Sequence, residues 1–482
     1  MNRLVQTLAL GLALSRCAAR PAATPSAPAT HAEAHRDALA EVPLSALSLA
    51  PEAVDAVLAP LRVDEGVPAV EVAFVSAGRV AFVGSGHRRE GQPAPDADTV
   101  FAIGSVTKVL TATLLATLLE AHQLTLDTDL QSLVEGTMRV PHERGVITLR
   151  HLVTHRAGLP RMPPGFAPAA ADDPYADFDV AALARSLAAT APEHSPGARF
   201  EYSNFGFGLL GHALGRFVGL GYRDALRERV LAPLAMTNTH VDISPALAAV
   251  RADDHDPDGR VVRPWRFDAL AGAGAAQSTA RDLARWIDLS MNPRGPLAGA
   301  LRRSQEPLAD ADLGLGGHVA MAWFDLPSER CLFHNGQTGG AASFIAFDRE
   351  TQRGVVLLAN QSSPRVTPVG LNLLRLLRGE APRSLTQGPP RPAVPLDAAA
   401  QARLAGVYRL SPEMTLTVRF DGPRCEVEAT GQRALRCDPL GPAELWVRAV
   451  GATVTFALPA AGPASGLTLR QNGREHPAPR AP

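Results

Sequence analysis

The sequence predicts an α/β protein: an antiparallel sheet flanked by helices, with a mainly helical subdomain, followed by a small all-β domain. Three observations predict this fold class. Strand-like segments lie at both ends of the region 46–380, the segments between them are mostly helical, and short alternating segments follow a proline-rich linker at 381–395. Strands at both ends with helices between them imply a single sheet that is assembled from the two ends of one domain.

The elements of the region 46–380 follow from their hydrophobic patterns. Strands are expected at 67–76 and 79–84, and again at 343–348 and 354–359. Helices are expected at 106–122, 205–218, 222–231 and 279–290. Thr279 is followed three residues later by Asp282, a capping pattern that predicts the beginning of the last of these helices.

The region 396–482 has the pattern of a small antiparallel, barrel-like β domain. Alternating segments separated by glycine, proline and Asn-Gly turns are typical of such domains, and they occur at 415–420, 425–429, 445–450, 453–458 and 467–471. Cys425 and Cys437 flank a predicted turn at Gly431, and their even spacing places both side chains on one face of the sheet. They form either a cross-strand disulfide or two free buried thiols.

Length and composition exclude several classes of protein. The chain has 482 residues, enough for two or three domains at ~100–200 residues each, and 46% of them are hydrophobic, which argues against disorder. Acidic and basic residues number 48 and 47, so no excess of positive charge is present to bind nucleic acid. Nothing in the sequence implies a metal or an organic cofactor, and the oligomeric state stays open.

Residues 1–19 have the pattern of an export signal. Arg3 precedes an apolar run at 4–14, and small residues follow Cys17; the run is shorter than the ~20 residues that span a bilayer. Residues 14–17 also resemble a bacterial lipobox, which would make Cys17 a lipidated membrane anchor, although Arg16 stands where a small residue is usual. An ordinary cleaved signal is the alternative. Residues 20–45 read as a flexible tether, so we expect a periplasmic, membrane-anchored or secreted protein.

Lys108 is the only lysine among the 47 basic residues. Because an amine, unlike a guanidinium, can lose its proton when it is desolvated, this lysine predicts a role that arginine cannot take. Lys108 lies three residues after Ser105, nearly one helical turn, so its amine is expected beside the Ser105 hydroxyl. A neutral amine there could take the hydroxyl proton and make Ser105 a nucleophile. The alternative is a capping serine with a surface lysine.

Tyr202 and Asn204 precede a second apolar helix. A phenol beside an ammonium has a lowered pKa, so we expect Tyr202 to act as the general base and then to protonate the leaving group. Asn204 is expected to hold a substrate carbonyl and the Lys108 amine. The alternative for Tyr202 is a half-buried structural tyrosine.

A third motif, His334 to Gly340, is rich in glycine. Glycine at a strand edge, as at Gly336, lets a substrate backbone approach closely. The N–H of Gln337 is expected to pair with that of Ser105 as an oxyanion hole, and such donors are worth ~3–4 kcal/mol each in the transition state. His334 is expected to line the pocket, where it orients Tyr202 or meets a substrate carboxylate. A glycine-rich turn with an incidental histidine is the alternative.

In this order, the three motifs resemble those of the serine β-lactamase and penicillin-binding-protein superfamily, in its class C and esterase-like branch, where His-x-Gly replaces Lys-Thr-Gly. Supporting stretches at 147–160, 233–236 and 277–283 also look like that family, and the tail at 404–475 is similar to the small β-barrel domain that often follows it. The resemblance implies a β-lactamase-like fold and an exported serine hydrolase that forms an acyl-enzyme on Ser105. Its substrate would be a small molecule or peptide, and its activity that of an esterase, a D-amino-acid peptidase or a weak β-lactamase.

One departure from the family bears on the substrate. Relatives commonly have Phe-Arg where Ala341-Ala342 stands, so the site should be wider and its hold on a carboxylate weaker. The loop 160–180 is expected to overhang the site and to tune selectivity.

Two alternative interpretations of the sequence are less well supported. His151 and His155 have zinc-ligand spacing, but Leu152 stands where H-E-x-x-H has its glutamate, so packed or hydrogen-bonded histidines are expected. A catalytically silent envelope protein that keeps the fold for ligand binding or assembly is the second functional hypothesis. The lone lysine, Tyr202 and the His-x-Gly strand favour the enzyme.

Overall fold

The computed structural model describes residues 39–311, 317–385, 393–411, 414–430, 434–447, 452–471 and 474–481. The predicted export signal with Cys17, most of the tether, half of the linker and the turn at Gly431 lie outside the described residues. No helix in the described ranges is long and apolar enough to cross a membrane.

Nine strands of the described residues form one sheet, in the order β1-β3-β2-β13-β12-β11-β10-β9-β8. Strand β2 pairs with β13, with Val72 opposite Leu357, so the two ends of the domain meet at the middle of the sheet, as the sequence predicts. The strands of this sheet and of two separate two-stranded sheets, β4-β7 and β5-β6, are β1 (Ala40–Glu41), β2 (Ala69–Ser76), β3 (Arg79–Gly86), β4 (Val100–Ala102), β5 (Asp254–His255), β6 (Val261–Val262), β7 (Gln277–Thr279), β8 (Ala309–Asp310), β9 (His318–Val319), β10 (Phe324–Leu326), β11 (Cys331–Gln337), β12 (Ala342–Asp348) and β13 (Arg353–Ala359).

Helices cover both faces of the sheet. Those that lie in the chain between β3 and β8 also form a helical subdomain. They are α1 (Pro51–Ala59), α2 (Thr107–Glu120), α3 (Leu149–Val153), α4 (Val180–Ala188), α5 (Asn204–Val218), α6 (Gly221–Leu226), α7 (Pro245–Val250), α8 (Ala271–Gly274), α9 (Ala280–Met291), α10 (Ala298–Arg303), α11 (Val366–Leu377) and α12 (Ala398–Leu404). The four predicted helices are present, with bounds shifted by a few residues. Thr279 caps α9 by accepting a hydrogen bond from the N–H of Asp282 at 3.2 Å.

The sheet separates two hydrophobic cores, because successive side chains of a strand point to opposite faces. On β13, Val355 and Leu357 face the core that α1 and α11 cover. Val356 and Leu358 face the other core, which α9 covers and which continues into the helical subdomain around α2. Burial on both faces explains why the central strands are almost continuously apolar.

The second sheet confirms the predicted small β domain. It runs in sequence order from β14 to β21, and an isolated bridge between Tyr408 and Arg480 brings its two ends together into a nearly closed barrel. Its strands are β14 (Gly406–Ser411), β15 (Met414–Asp421), β16 (Arg424–Ala429), β17 (Ala434–Gly441), β18 (Glu444–Val447), β19 (Ala452–Ala457), β20 (Gly466–Gln471) and β21 (Arg474–Pro479). Strands β14, β17 and β21 were not predicted, and prolines inside β17 and β21 hide their pattern.

Cys425 and Cys437 lie directly opposite each other on β16 and β17, on one face as predicted. Both are buried free thiols, so of the two expected states the structure has the unlinked one. A hydrogen bond between the two sulfur atoms and burial both raise the pKa of the Cys437 thiol, which therefore stays protonated.

An unpaired acid lies beneath the main sheet. Glu71 is fully buried on β2, and neither of its carboxyl oxygens has a hydrogen-bond partner among the described residues. Burial, reinforced by Asp96, raises the pKa of Glu71 to about 9. The native state therefore holds Glu71 as a neutral acid at neutral pH, whereas the unfolded chain ionises it.

We expect Glu71→Gln to become progressively more stable than the wild type as the pH rises from 5 to 8. The wild-type protein keeps its Glu71 proton when folded and loses it when unfolded, so its free energy of unfolding falls by up to about 1.4 kcal/mol per pH unit in this window. Urea denaturation at several pH values measures the difference. The exposed Glu90→Gln is the matched control, and a stability difference that does not change with pH would contradict the burial argument.

Candidate active site

Ser105 lies in a 3-10 turn, Gly104–Val106, that leads directly into α2. The first N–H groups of a helix lack intrahelical partners and carry partial positive charge. The Nζ of Lys108, one turn along, lies 2.9 Å from the Oγ of Ser105. The predicted juxtaposition is therefore present, and Lys108 is fully buried rather than a surface lysine.

Two further atoms fix the amine of Lys108. Its Nζ lies 2.8 Å from Oδ1 of Asn204 and 2.7 Å from the backbone oxygen of Ala273. Both oxygens can only accept hydrogen bonds. A neutral amine has two N–H groups, and these two acceptors use both of them. The remaining lone pair then faces the Ser105 hydroxyl, where it can accept the proton.

The surroundings favour this neutral amine. Burial holds the pKa of Lys108 well below its usual value, and the positive charge of Arg161 lowers it further. Lys108 makes no ion pair with any carboxylate in the described ranges, so nothing offsets the cost of burying an ammonium. Its Nζ also lies 4.9 Å from the centroid of the Tyr202 ring.

Tyr202 faces the same cluster, but its predicted ionisation is wrong. Burial raises the pKa of Tyr202 to about 12, and the opposing effects of a hydrogen bond with Ser105 and of the Arg161 charge are smaller. The prediction assumed an ammonium at Lys108, whereas burial removes that charge and with it the reason for a phenolate. Tyr202 is therefore a protonated phenol in this site.

The N-terminus of α5 positions Tyr202 and Asn204. Ser203 caps the helix by accepting a hydrogen bond from the N–H of Gly206 at 2.8 Å, and its hydroxyl donates to the backbone oxygen of Pro160 at 2.7 Å. The N–H of Asn204 donates to the backbone oxygen of Arg161 at 2.9 Å. The loop 160–180 is thus hydrogen-bonded directly to the residues around Tyr202.

Strand β11 brings Gln337 to the turn that holds Ser105. The N–H of Thr338 donates to Ala341 across the hairpin, so the alternation of an antiparallel ladder turns the N–H of Gln337 to the opposite edge. Gly104 lies there with φ +47°, and a Cβ at this position would be 2.6 Å from the nitrogen of Gln337. A Cβ at Gly336 would be 1.9 Å from the backbone oxygen of Ile103. Only glycine permits these two approaches.

His334 is placed differently from the prediction. It is fully buried, so its ring has no surface in contact with solvent. Its Nδ1 lies 2.6 Å from the backbone oxygen of Asn335 and therefore carries the proton, which leaves Nε2 as a bare acceptor with no partner among the described residues. Burial lowers the pKa of His334 to about 3, so the ring is neutral. Its ring centroid lies 6.5 Å from that of Tyr202, which leaves an orienting role open.

Sequence reasoning missed the part that His155 plays. Its ring stacks on Tyr202 with a centroid distance of 4.3 Å, and its Nδ1 accepts a hydrogen bond from the N–H of Ser203 at 3.0 Å. His155 also has a left-handed backbone, with φ +57°, which is uncommon outside glycine. His151, the other member of the zinc-spaced pair, accepts a hydrogen bond from the N–H of Thr148 at 3.1 Å. The two histidines therefore brace separate backbone segments.

The loop 160–180 adds two more residues that the motifs did not reveal. The guanidinium carbon of Arg161 lies 5.1 Å from the centroid of the Tyr202 ring. The sulfur of Met162 lies 3.5 Å from Nδ2 of Asn204 and 3.8 Å from the hydroxyl of Tyr175. A basic residue directly after the Gly158-Leu159-Pro160 stretch was visible in the sequence, but nothing there indicated its position over Tyr202.

This fold and this serine–lysine pair are those of a serine hydrolase of the β-lactamase-related type. A family model described as "Beta-lactamase" matches residues 54–380, about two thirds of the chain. The chain belongs to the beta-lactamase family.

Individual relatives agree with this assignment. The chain is 26% identical over 360 residues to a beta-lactamase of Lysobacter lactamgenus, covering 67% of this chain and 90% of that protein. It is 28% identical over 251 residues to the D-alanyl-D-alanine-carboxypeptidase/endopeptidase AmpH of Escherichia coli K12, covering 51% and 63%. A class C beta lactamase from Rhodobacter sphaeroides superposes with a TM-score of 0.59 at 24% identity, covering 68% and 99%, and so shares the fold.

We expect the rate at which a fluorophosphonate labels Ser105 to rise with pH and to reach a plateau well below the usual lysine pKa of 10.5. Labelling requires unprotonated Lys108, and burial moves that form to lower pH. Lys108→Arg should slow labelling by about 10²-fold or more, because a guanidinium stays protonated.

The matched control is Arg227→Lys, the reverse exchange at an exposed arginine that pairs with Asp224 at 2.9 Å on the surface. It should label like the wild type. Labelling of Lys108→Arg at the wild-type rate would show that the amine is not the base.

Proposed function

We propose that the chain is an exported serine hydrolase that forms an acyl-enzyme on Ser105. The observation that carries the proposal is the 2.9 Å contact between the buried Lys108 amine, whose pKa burial lowers, and the Ser105 hydroxyl. In this proposal Lys108 takes the hydroxyl proton while Oγ of Ser105 bonds to the carbonyl carbon of the substrate. The catalytically silent alternative gains no support from this geometry, since a binding protein has no need to desolvate an amine beside a serine.

The negative charge of the tetrahedral intermediate needs donors that are already in place. The N–H groups of Ser105 and Gln337 are the proposed pair, supported by the close approach of Gly104 to the nitrogen of Gln337. Donors fixed before the reaction cost no reorganisation when the charge develops. Asn204 would hold the Lys108 amine and a carbonyl of the substrate.

Collapse of the intermediate breaks the bond to the leaving group, which must gain a proton. Tyr202 is the proposed donor, because its raised pKa keeps the proton on the phenol until a stronger base develops beside it. The proton that Lys108 took from Ser105 replaces the one that Tyr202 gives. Water later attacks the carbonyl carbon of the acyl-Ser105 ester, with Lys108 again as the base. The bond from that carbon to Oγ then breaks, Oγ regains the proton from Lys108, and the acyl group leaves as a carboxylic acid.

The relatives guide the proposed substrate class. One is a beta-lactamase, and another is a carboxypeptidase and endopeptidase that acts on D-alanyl-D-alanine. We propose an ester, an amide or a peptidoglycan-type peptide as the substrate, with β-lactam hydrolysis weak because the neutral His334 replaces the lysine of Lys-Thr-Gly.

Export and domain organisation complete the proposal. Residues 1–19 would direct the chain out of the cytoplasm, either as a cleaved signal or with Cys17 as a lipidated anchor. The proposed organisation then has a tether that begins at residue 20 and ends before β1, because β1 pairs with β3 in the main sheet. The hydrolase domain follows up to residue 380, then a linker at 381–395 and the β domain at 396–482.

We expect a fluorophosphonate or a labelled penicillin to modify the wild-type protein at Ser105 and to leave Ser105→Ala unmodified. Peptide mapping by mass spectrometry identifies the residue. Ser132→Ala, at a partly exposed serine in another 3-10 turn, is the matched control and should label normally. Equal labelling of Ser105→Ala, or no labelling of the wild type by either reagent, would refute the proposed nucleophile.

We expect Tyr202→Phe to lower kcat/KM far more for alkyl esters than for nitrophenyl esters. A nitrophenolate leaves without a proton, whereas an alkoxide needs one, so the loss should reach about 10²-fold or more only for the alkyl leaving group. Steady-state kinetics with one acyl group and a series of alcohols measure the difference. An equal loss for all leaving groups would point to a base or a purely structural role.

A further inference from the structure

Arg161 is an exposed arginine beside the catalytic cluster. Its guanidinium lies over the Tyr202 ring, and its backbone oxygen accepts hydrogen bonds from the N–H groups of Asn204 at 2.9 Å and Phe205 at 3.3 Å. The main chain of Arg161 is therefore fixed to the residues that carry the proposed chemistry. Only its side chain is free to meet a ligand.

The charge of Arg161 has no partner among the residues that the structure describes. Neither an ion pair nor a side-chain hydrogen bond of Arg161 occurs in the described ranges, whereas its loop neighbours Asp172 and Asp173 are paired with Arg263 and Arg266 at 2.8 Å and 2.7 Å. The other two carboxylates of the loop accept backbone hydrogen bonds: Asp177 from the N–H of Ala169 at 3.0 Å and Asp179 from the N–H of Ala182 at 2.7 Å. None of the four pairs with Arg161. An arginine left unpaired beside a site presents its planar set of N–H donors to the solution.

No other permanent cation serves the site from the opposite side. His334 on β11 is buried and neutral, and Asn335 and Gln337, the exposed residues of that strand end, are uncharged. Ala341 and Ala342 are fully buried and carry no charge. Lys108 is buried, its amine contacts Asn204 and the backbone oxygen of Ala273, and burial lowers its pKa. Among the described residues around Ser105 and Tyr202, the permanent positive charge is therefore that of Arg161 in the loop 160–180.

We propose that Arg161 binds a carboxylate of the substrate, so the substrate class is an ester or amide that carries a carboxylate within reach of the reacting carbonyl. The inference rests on the proposed function of Ser105. A guanidinium matches a carboxylate with two parallel hydrogen bonds, a pairing that gives geometric specificity as well as energy. The unpaired guanidinium and the absence of a cation on β11 both favour this partner.

A competing role for Arg161 is purely electrostatic. Its positive charge also acts on the amine of Lys108 without any contact with substrate. Such a role would affect every substrate alike, because it changes the base and not the binding. A carboxylate-binding role would instead discriminate between substrates that differ only in charge. The experiment therefore compares anionic and neutral substrates of the same shape.

Two matched pairs of esters provide the test. The first pair differs in the acyl group: 4-nitrophenyl hydrogen glutarate carries a carboxylate and 4-nitrophenyl valerate a methyl group at the same chain length. The second pair differs in the leaving group: 4-acetoxybenzoate is anionic and its methyl ester is neutral. We expect the wild type to favour the anionic member of at least one pair in kcat/KM.

In Arg161→Ala, that preference should fall by about tenfold, mainly through KM, because a charge-assisted hydrogen-bonded pair is lost. Arg161→Lys should keep part of the preference, and added salt should weaken it in the wild type, since the site is open to solvent. Arg227→Ala, which removes an exposed arginine that pairs with Asp224 on the surface, is the control and should keep the full preference. Far-ultraviolet circular dichroism confirms that each variant is folded.

Different results would refute the carboxylate-binding role of Arg161 and the proposed serine hydrolase function. If Arg161→Ala slows both members of each pair equally, or if the wild type shows no preference for the anionic member, Arg161 does not bind a carboxylate, while the serine hydrolase stands. If the wild type hydrolyses none of the four esters and Ser105 is not labelled, the proposed function and the inference fail together.

Discussion

The chemistry of this protein depends on the removal of one amine from water. Lys108 is fully buried, and the oxygens that its Nζ contacts belong to Ser105, Asn204 and the backbone of Ala273. Three separate parts of the chain, namely the beginning of α2, the beginning of α5 and helix α8, must come together to enclose it. Because carbonyl dipoles replace a carboxylate counter-ion, the neutral form is favoured and the lone pair stays available.

The same desolvation sets the protonation of every titratable neighbour. Burial holds the pKa of His155 well below its usual value, keeps His334 neutral and keeps the proton on Tyr202. The cluster is thus a set of neutral groups whose tautomers are fixed by backbone partners. This arrangement has a cost: the Nε2 atoms of His155 and His334 are both buried without a hydrogen-bond partner among the described residues.

The site contacts that could be predicted from the sequence are those between residues close together in the chain. Lys108 is one turn after Ser105 in the same helix, and Asn204 begins α5 beside Tyr202, so their juxtaposition follows from short-range geometry together with the family pattern. Solvation is a property of the assembled interior, and the pKa of Tyr202 was therefore predicted in the wrong direction. For the same reason the sequence could not tell that the His334 side chain points into the protein.

Contacts between distant segments were hidden for a different reason. His155 and Arg161 follow α3, and their positions around Tyr202 depend on how the loop 160–180 crosses the beginning of α5, which no periodicity encodes. In the small β domain, strands β17 and β21 escaped prediction because their prolines interrupt the alternation on which such assignments rest.

The pairing of β2 with β13 limits how early the sheet can form while the chain is being synthesised. Val72 on β2 pairs with Leu357 on β13, which is nearly three hundred residues further along the chain. The centre of the sheet can form only after β13 has been synthesised. At ribosomal rates of about 5–20 residues per second, β2 pairs with β3 but lacks β13 on its other edge for roughly 15–60 s. The centre of the sheet therefore stays incomplete until about three quarters of the chain has been made. A polypeptide whose central sheet closes this late can pass through a translocation pore in extended form, which is compatible with the proposed export.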